Sequence, residues 1–168
     1  MHWKTPISGI IGVLFFASTG TSVWAGTGTN EACSLLTQAQ VSAVLGVSVS
    51  SGKDTVPGVS RSCTWSEPGA TMVSGKSVRL EILGPLGSMT PVDRFEKNVK
   101  KPVDKMPRTP LSGVGDDAVY LGGGDMGGVR LYVRKGSSVI HVVVSGFSKD
   151  DQTKMLEKNL AQDALTKL

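Results

Sequence analysis

The stretch that decides the fold is residues 129–146, VRLYVRKGSSVIHVVVSG. Apolar and polar side chains alternate through its first half, and its second half is rich in the β-branched residues that strands favour. Lys135 and Gly136 between the two halves are typical of a tight turn. The stretch therefore predicts an antiparallel hairpin with strands at residues 129–134 and 137–146.

A two-residue turn at Lys135-Gly136 sets which side chains oppose one another. On the predicted core face the opposing pairs are Val133 with Ser138, Leu131 with Ile140, and Val129 with Val142. On the other face they are Arg130 with His141 and Tyr132 with Val139, with Arg134 beside them.

This second face is the candidate ligand face. Arg79 and Glu81 lie on the polar side of another predicted strand, residues 78–83, and are expected to join it. Guanidinium groups beside an aromatic ring can bind a carboxylate, a phosphate or an acidic partner. The alternative is a solvated or helix-covered sheet face. The predicted face consists of Arg79, Arg130, Tyr132, Arg134 and His141.

Outward from the hairpin, further strands are predicted at residues 47–51, 61–66 and 117–121, with glycine-rich turns between them. Residues 102–113 contain three prolines and are expected to form an ordered loop. Gly122–Gly128 is expected to form a hairpin loop. Strands joined by short turns predict an antiparallel sheet of about five to six strands.

Two or three helices are predicted to flank this sheet. Thr37 and Gln40 have capping-box spacing, and Gly46 is suited to the left-handed position after the helix. Thr90 followed by Pro91 predicts a second helix start. Apolar residues at helical spacing predict a third helix after residues 148–151. The fold class is therefore α+β.

Cys33 and Cys63 are the chain's two cysteines. In an oxidising compartment such a pair most simply forms a disulfide, here closing a loop of about 30 residues. A zinc site would need more ligands than two cysteines and a histidine. The sequence thus predicts one disulfide.

The N-terminus has the pattern of a secretory signal peptide. Lys4 supplies a positive charge, residues 7–17 (ISGIIGVLFFA) an apolar run, and residues 23–25 (VWA) a cleavage site. The run is shorter than the roughly 20 residues that span a bilayer. We expect cleavage after Ala25, and periplasmic or secreted localisation without a membrane span; an uncleaved anchor is the alternative. Residues 26–32 are expected to be a flexible leader and residues 33–168 a single domain.

Several short motifs resemble those of small exported bacterial proteins, many of them lipoproteins of unknown function. They are residues 32–37 (ACSLLT), 44–46 (VLG), 63–65 (CTW), 113–118 (GVGDDA) and 133–136 (VRKG). The resemblance covers most of residues 32–168 and implies an α+β fold like that of the PsbP/Mog1 group. It implies no activity. The chain departs from the lipoproteins in lacking a lipobox cysteine, so tethering is not carried over.

The formal net charge of +4 is too small to indicate a nucleic-acid partner. A second basic feature comprises Lys97, Lys100, Lys101, Lys105 and Arg108; it could touch an anionic envelope surface or form a solvated helix end. The glycine runs lack the strand-then-helix setting of a phosphate loop, and the aspartates lack calcium-site spacing. No cofactor or metal is therefore expected.

The sequence favours an exported, non-enzymatic binding or envelope-associated module whose partner is an unknown protein or an anionic envelope component. The alternative is a periplasmic inhibitor or assembly factor. The order of a helix followed by strands in this chain resembles the repeats of β-lactamase-inhibitory proteins and of small outer-membrane assembly lipoproteins. A hydrolytic enzyme using His141 is the least favoured hypothesis, since no nucleophile motif accompanies that histidine.

Overall fold

The computed structural model describes residues 1, 30–71, 74–101, 106–123 and 128–168. Within them the helices are α1 (Glu31–Leu35), α2 (Gln38–Leu45), α3 (Pro91–Arg94, continuing as a π-helical segment Phe95–Lys100) and α4 (Asp150–Leu165). The strands are β1 (Lys53–Asp54), β2 (Ser62–Ser66), β3 (Ser77–Ile82), β4 (Arg108–Leu111), β5 (Asp117–Gly122), β6 (Val129–Lys135) and β7 (Ser138–Ser145).

The seven strands form one sheet in the order β1-β2-β3-β7-β6-β5-β4, and every neighbouring pair is antiparallel. This confirms the α+β prediction, with more strands than the five to six expected. The extra strand β4 lies inside the stretch predicted to be an irregular loop. It contains Pro110, which an edge strand tolerates because the missing N–H has no outer neighbour to pair with.

The strand predicted at residues 47–51 is wrong. Within the described residues this stretch makes one backbone hydrogen bond to β2, from Ser50 N–H to the Ser66 carbonyl (2.8 Å). The chain then closes against the core at Gly52, where an added Cβ would lie 2.7 Å from both the Cys63 Sγ and the Trp65 ring. Regular pairing begins only after that glycine, at Lys53 opposite Thr64.

The β6–β7 hairpin forms as predicted, but its register differs by two residues. Lys135 pairs with Ser138, so the turn residues are Gly136 and Ser137, and Gly136 adopts a left-handed φ of 58°. Tyr132 therefore lies opposite His141, the position predicted for Arg130. Because the shift is an even number of residues, every side chain keeps its predicted face.

One face of the sheet is buried under α1, α2 and α4. Its fully buried side chains include Trp65, Leu80, Leu131, Ile140 and Leu160. Burying a large apolar side chain contributes about 1.5–3 kcal/mol, so this layer supplies most of the hydrophobic stabilisation of the fold. The apolar face predicted for the C-terminal helix is confirmed, since Leu156, Leu160, Ala161, Ala164 and Leu165 all enter this core.

The predicted helix boundaries at α2 and α3 are confirmed. Thr37 and Gln40 form a reciprocal capping box, and Gly46 ends α2 with a left-handed φ of 67°. Thr90 caps α3 in the same way with Asp93, and Pro91 occupies the first helical turn. These caps satisfy backbone N–H groups that helix ends otherwise leave unpaired.

The Cys33–Cys63 disulfide is present and joins α1 to β2. Close to it, the Asn30 side chain caps α1 and donates hydrogen bonds to the carbonyls of Ser60 (3.2 Å) and Ser62 (3.0 Å). Ala32 is fully buried. The packed region therefore includes Asn30, ahead of the expected Cys33 boundary. Apart from Met1, the predicted signal peptide lies outside the described residues.

Across the described ranges, none of the helices has the length and apolarity required to cross a membrane.

A buried carboxyl lies between α4 and the sheet. Glu157 is completely buried, and its Oε1 accepts a hydrogen bond from Val144 N–H (3.1 Å). Its Oε2 is buried without a hydrogen-bond partner among the described residues. Burial raises the pKa of Glu157 from 4.5 to about 8, against smaller lowering effects of the Val144 hydrogen bond and the Arg130 charge. The carboxyl is therefore mostly protonated at neutral pH.

Removing the disulfide should destabilise the domain. Replacing Cys33 and Cys63 together by alanine frees a loop with a sequence separation of 30 residues. We expect a free energy of unfolding about 3–4 kcal/mol lower, because the unfolded chain regains its loop entropy. Urea denaturation measures this, with the reduced wild-type protein as control. Equal midpoints for all three samples would contradict the prediction.

Glu157→Gln should remove a pH dependence of stability. The pKa of Glu157 is raised on folding, so its contribution is fully present below about pH 4.5 and is lost as the pH rises through about 8. We expect wild-type stability to fall relative to E157Q over that interval in urea titrations. Glu96→Gln, at a side chain that is 44% exposed, is the control. Parallel curves for wild type and E157Q would refute the assignment.

Candidate functional site

The described residues cover only part of the sheet face opposite the main core. Phe95 and Val99 of the π-helical segment pack on Val119, Leu121 and Val139. These strand residues belong to β5 and β7, so the helix covers one end of the sheet. The side chain of Arg79 on β3 is 44% exposed. The open part of this face therefore lies toward β1, β2 and β3.

At the border of the covered part, three side chains lie in one row across β3, β7 and β6. Glu81 pairs with His141, and His141 pairs with Tyr132. The His141 ring stacks on the Tyr132 ring, with centroids 4.2 Å apart and planes 6° from parallel. The Nδ1 of His141 lies 3.8 Å from Glu81 Oε2. The histidine is thus held between an aromatic ring and a carboxylate.

Three guanidinium groups surround this row. Arg79 lies 3.6 Å from the Glu81 carboxylate. Arg94 of α3 is fixed by a hydrogen bond to the Gly84 carbonyl (2.6 Å). Its charge acts on Glu81, and that of Arg130 acts on His141. We call this group the arginine face; it consists of Arg79, Glu81, Arg94, Arg130, Tyr132 and His141.

The local pKa shifts determine the charge of the arginine face. Burial lowers the pKa of His141, although Glu81 opposes this effect. The nearby His141 ring, together with the arginines, lowers the pKa of Glu81. Burial raises the pKa of Tyr132, with the Arg130 charge opposing it. Near neutral pH the histidine and tyrosine are uncharged, so three guanidinium groups face a single carboxylate. The face is cationic.

Arg134, predicted to belong to the same face, is engaged in a different ion pair. Its Nη1 pairs with Asp116 Oδ2 (3.2 Å), and the same oxygen accepts the Gly136 N–H (2.7 Å). Arg134 therefore braces the hairpin turn. The other four predicted residues, Arg79, Arg130, Tyr132 and His141, do come together.

Arg94 is the site residue that sequence analysis missed. The Thr90-Pro91 pattern predicts its helix, but nothing local to that helix shows over which strands it packs. Only the packing of Phe95 against the sheet brings Arg94 to this face.

A cleft of about 390 Å³ lies beside the arginine face, over β1 and β2. Thr64 of the cleft pairs with Lys53 on one side and with Arg79 on the other. Neighbouring strands are about 4.8 Å apart, so the cleft and Arg79 are adjacent. We call this cavity the hydroxyl cleft, after the lining residues Ser50, Ser51, Thr55, Thr64 and Ser66.

Two members of the second basic feature are engaged in contacts within the protein. Lys100 Nζ pairs with Asp117 (2.7 Å) and Glu96 (3.5 Å). The Arg108 guanidinium donates to the Lys100 carbonyl. Lys105 lies outside the described residues. Lys100 and Arg108 therefore anchor the π-helical segment to β5 and β4.

Within the described parts of the chain, no group of three or more His, Cys, Asp or Glu side chains is placed to hold a metal ion. No hydroxyl or thiol among these residues hydrogen-bonds to His141, whose Nε2 is buried without a partner. No protein-family model, curated protein or solved structure matches this chain.

Glu81→Gln should lower the pKa of His141 further. In the folded protein Glu81 raises the pKa of His141 against the larger effect of burial, and the substitution removes that support. NMR titration of the ring Cε1–H resonance measures the change, with His141→Gln identifying the signal. Glu96→Gln should leave the titration unchanged. A His141 pKa that is unaltered or higher in E81Q would contradict the prediction.

Proposed function

We propose that this chain is an exported, non-enzymatic binding module that recognises an anionic group of its partner at the arginine face. The observation that carries the proposal is the excess of guanidinium groups around Glu81 and the His141–Tyr132 stack. Guanidinium groups bind carboxylates and phosphates through paired, charge-assisted hydrogen bonds. Arg79 is exposed enough to reach such a group.

Export is supported by the disulfide and by the N-terminal sequence. A disulfide is compatible with an oxidising compartment such as the periplasm or the extracellular space. The charged start, apolar run and small-residue cleavage motif of residues 1–25 have the pattern of a signal peptide. In that compartment the partner is an envelope component or another exported protein.

A second candidate function is that of an inhibitor or assembly factor. The loop between β1 and β2 favours it. Val59 is 82% exposed and Val56 is 42% exposed. The loop is held by hydrogen bonds from the N–H groups of Val59 and Ser60 to the Val56 carbonyl, and by Asn30 at Ser60. An ordered apolar tip suits insertion into a protein cleft, because little entropy is lost on binding.

Replacing Arg79 and Arg130 by glutamine should abolish most anion binding. The probes are a hyaluronan oligosaccharide, which alternates carboxylated and neutral sugars, and a capped Glu-Gly peptide of equal charge. We expect wild-type protein to bind at least one of them by calorimetry, and the double variant to bind roughly tenfold or more weakly, since each lost bond involves charged groups.

The matched control is Lys149→Gln with Lys158→Gln, which removes the same charge from α4 and its N-cap position, beyond the other face of the sheet. It should retain binding, as should Val59→Asp in the apolar loop. Wild-type protein that binds neither probe, or equal losses in both double variants, would overturn the proposal.

A further inference from the structure

We infer that the anionic partner is an acidic glycan whose charged group lies at the arginine face and whose neutral, hydroxyl-bearing part lies in the hydroxyl cleft. The inference rests on the proposed function and adds the class of the ligand. Its basis is the continuity of the two features, since Lys53, Thr64 and Arg79 form one row across three adjacent strands.

The cleft has the size of a ligand site. Its volume of about 390 Å³ falls within the range of about 300–1,000 Å³ that is usual for small-molecule pockets. Pro68 and Ala70 add apolar surface to its lining. A sugar ring presents C–H groups on its faces and hydroxyls at its rim, so it matches a lining of both kinds.

The polar lining suits a polyhydroxylated ligand. Each serine or threonine hydroxyl both donates and accepts hydrogen bonds, as do sugar hydroxyls. Beyond the cleft the hydroxyl lining continues, because Ser66 pairs with Ser77 and Ser77 with Ser145. These three hydroxyls make no hydrogen bond to any described residue, which leaves them available to a ligand.

The charges in the cleft separate an alternating ligand from one that is anionic at every position. Lys53 is accompanied there by Asp54 and Glu67. Glu67 Oε2 also accepts a hydrogen bond from Lys76 N–H (3.1 Å), so its carboxylate is fixed in place. Two carboxylates against one ammonium disfavour further negative charge inside the cleft. The ligand must therefore be anionic at one position and neutral at the next. An alternating glycan satisfies this, and the serine and threonine lining of the cleft favours it over a peptide that alternates in the same way.

The test compares the same two probes on the wild-type protein and on Thr64→Val with Ser66→Ala. We expect the hyaluronan oligosaccharide to bind at least tenfold more tightly than the capped Glu-Gly peptide of equal charge. The cleft variant should weaken glycan binding roughly 5- to 30-fold, the loss of one or two hydrogen bonds of about 1 kcal/mol each, and leave peptide binding unchanged.

Two controls keep the outcome clear. Thr109→Val with Ser112→Ala makes the same substitutions at exposed residues of β4 and its following loop, and should bind as wild type. Thr64 differs from Thr109 in that its hydroxyl also hydrogen-bonds to that of Thr55 (2.9 Å). Ser66→Ala alone, at a hydroxyl without a described partner, replaces the double variant if that variant unfolds.

Equal or tighter peptide binding would show that the partner is an acidic polypeptide, and would overturn the inference while leaving the proposed function intact. Unchanged glycan binding in the cleft variant would also overturn it. Absence of binding to either probe is a different result, because it contradicts the proposed function itself.

Discussion

Strands β3 and β7 pair at the centre of the sheet, and this pairing joins two parts of the chain that are distant in sequence. On one side of it lie β2 and β1, pinned to α1 by the disulfide. On the other lie β6, β5 and β4. The pairing places Leu80 beside Val142 in the core and Glu81 beside His141 on the opposite face. The same ladder of hydrogen bonds therefore builds both the core and the candidate site.

On both faces of the sheet, burial favours the uncharged form of a titratable group. It therefore raises the pKa of a carboxyl group and lowers that of a histidine. On the core face, burial raises the pKa of Glu157; on the other, burial lowers the pKa of His141. In each case the uncharged form is favoured, because a poorly solvated charge is costly. The charges that remain on the open face are those of the arginines and Glu81. Its cationic character thus follows from burial as much as from composition.

Much of the fold could be predicted because its signals are local. The capping box at Thr37, the glycine after α2, and the alternation in residues 129–146 each need only a few neighbouring residues. The predictions that were wrong depended on contacts between residues that are farther apart in the sequence. Strand β4 contains Pro110 and has exposed side chains, so only its pairing with β5 identifies it as a strand. The hairpin register was missed by two residues because Lys135-Gly136 and Gly136-Ser137 are both plausible turns.

The sequence by itself determined the strand and helix types, the two faces of the central hairpin, the disulfide pair and the cationic chemistry of the candidate face. Tertiary structure alone decided which of those charged groups meet. The packing of α3 brings Arg94 to the arginine face. Arg134 instead forms an ion pair with Asp116. The hydroxyl cleft likewise exists only once β1 and β2 pair. The physical reason is that periodicity fixes the face a side chain occupies, whereas its neighbours depend on strand order and register.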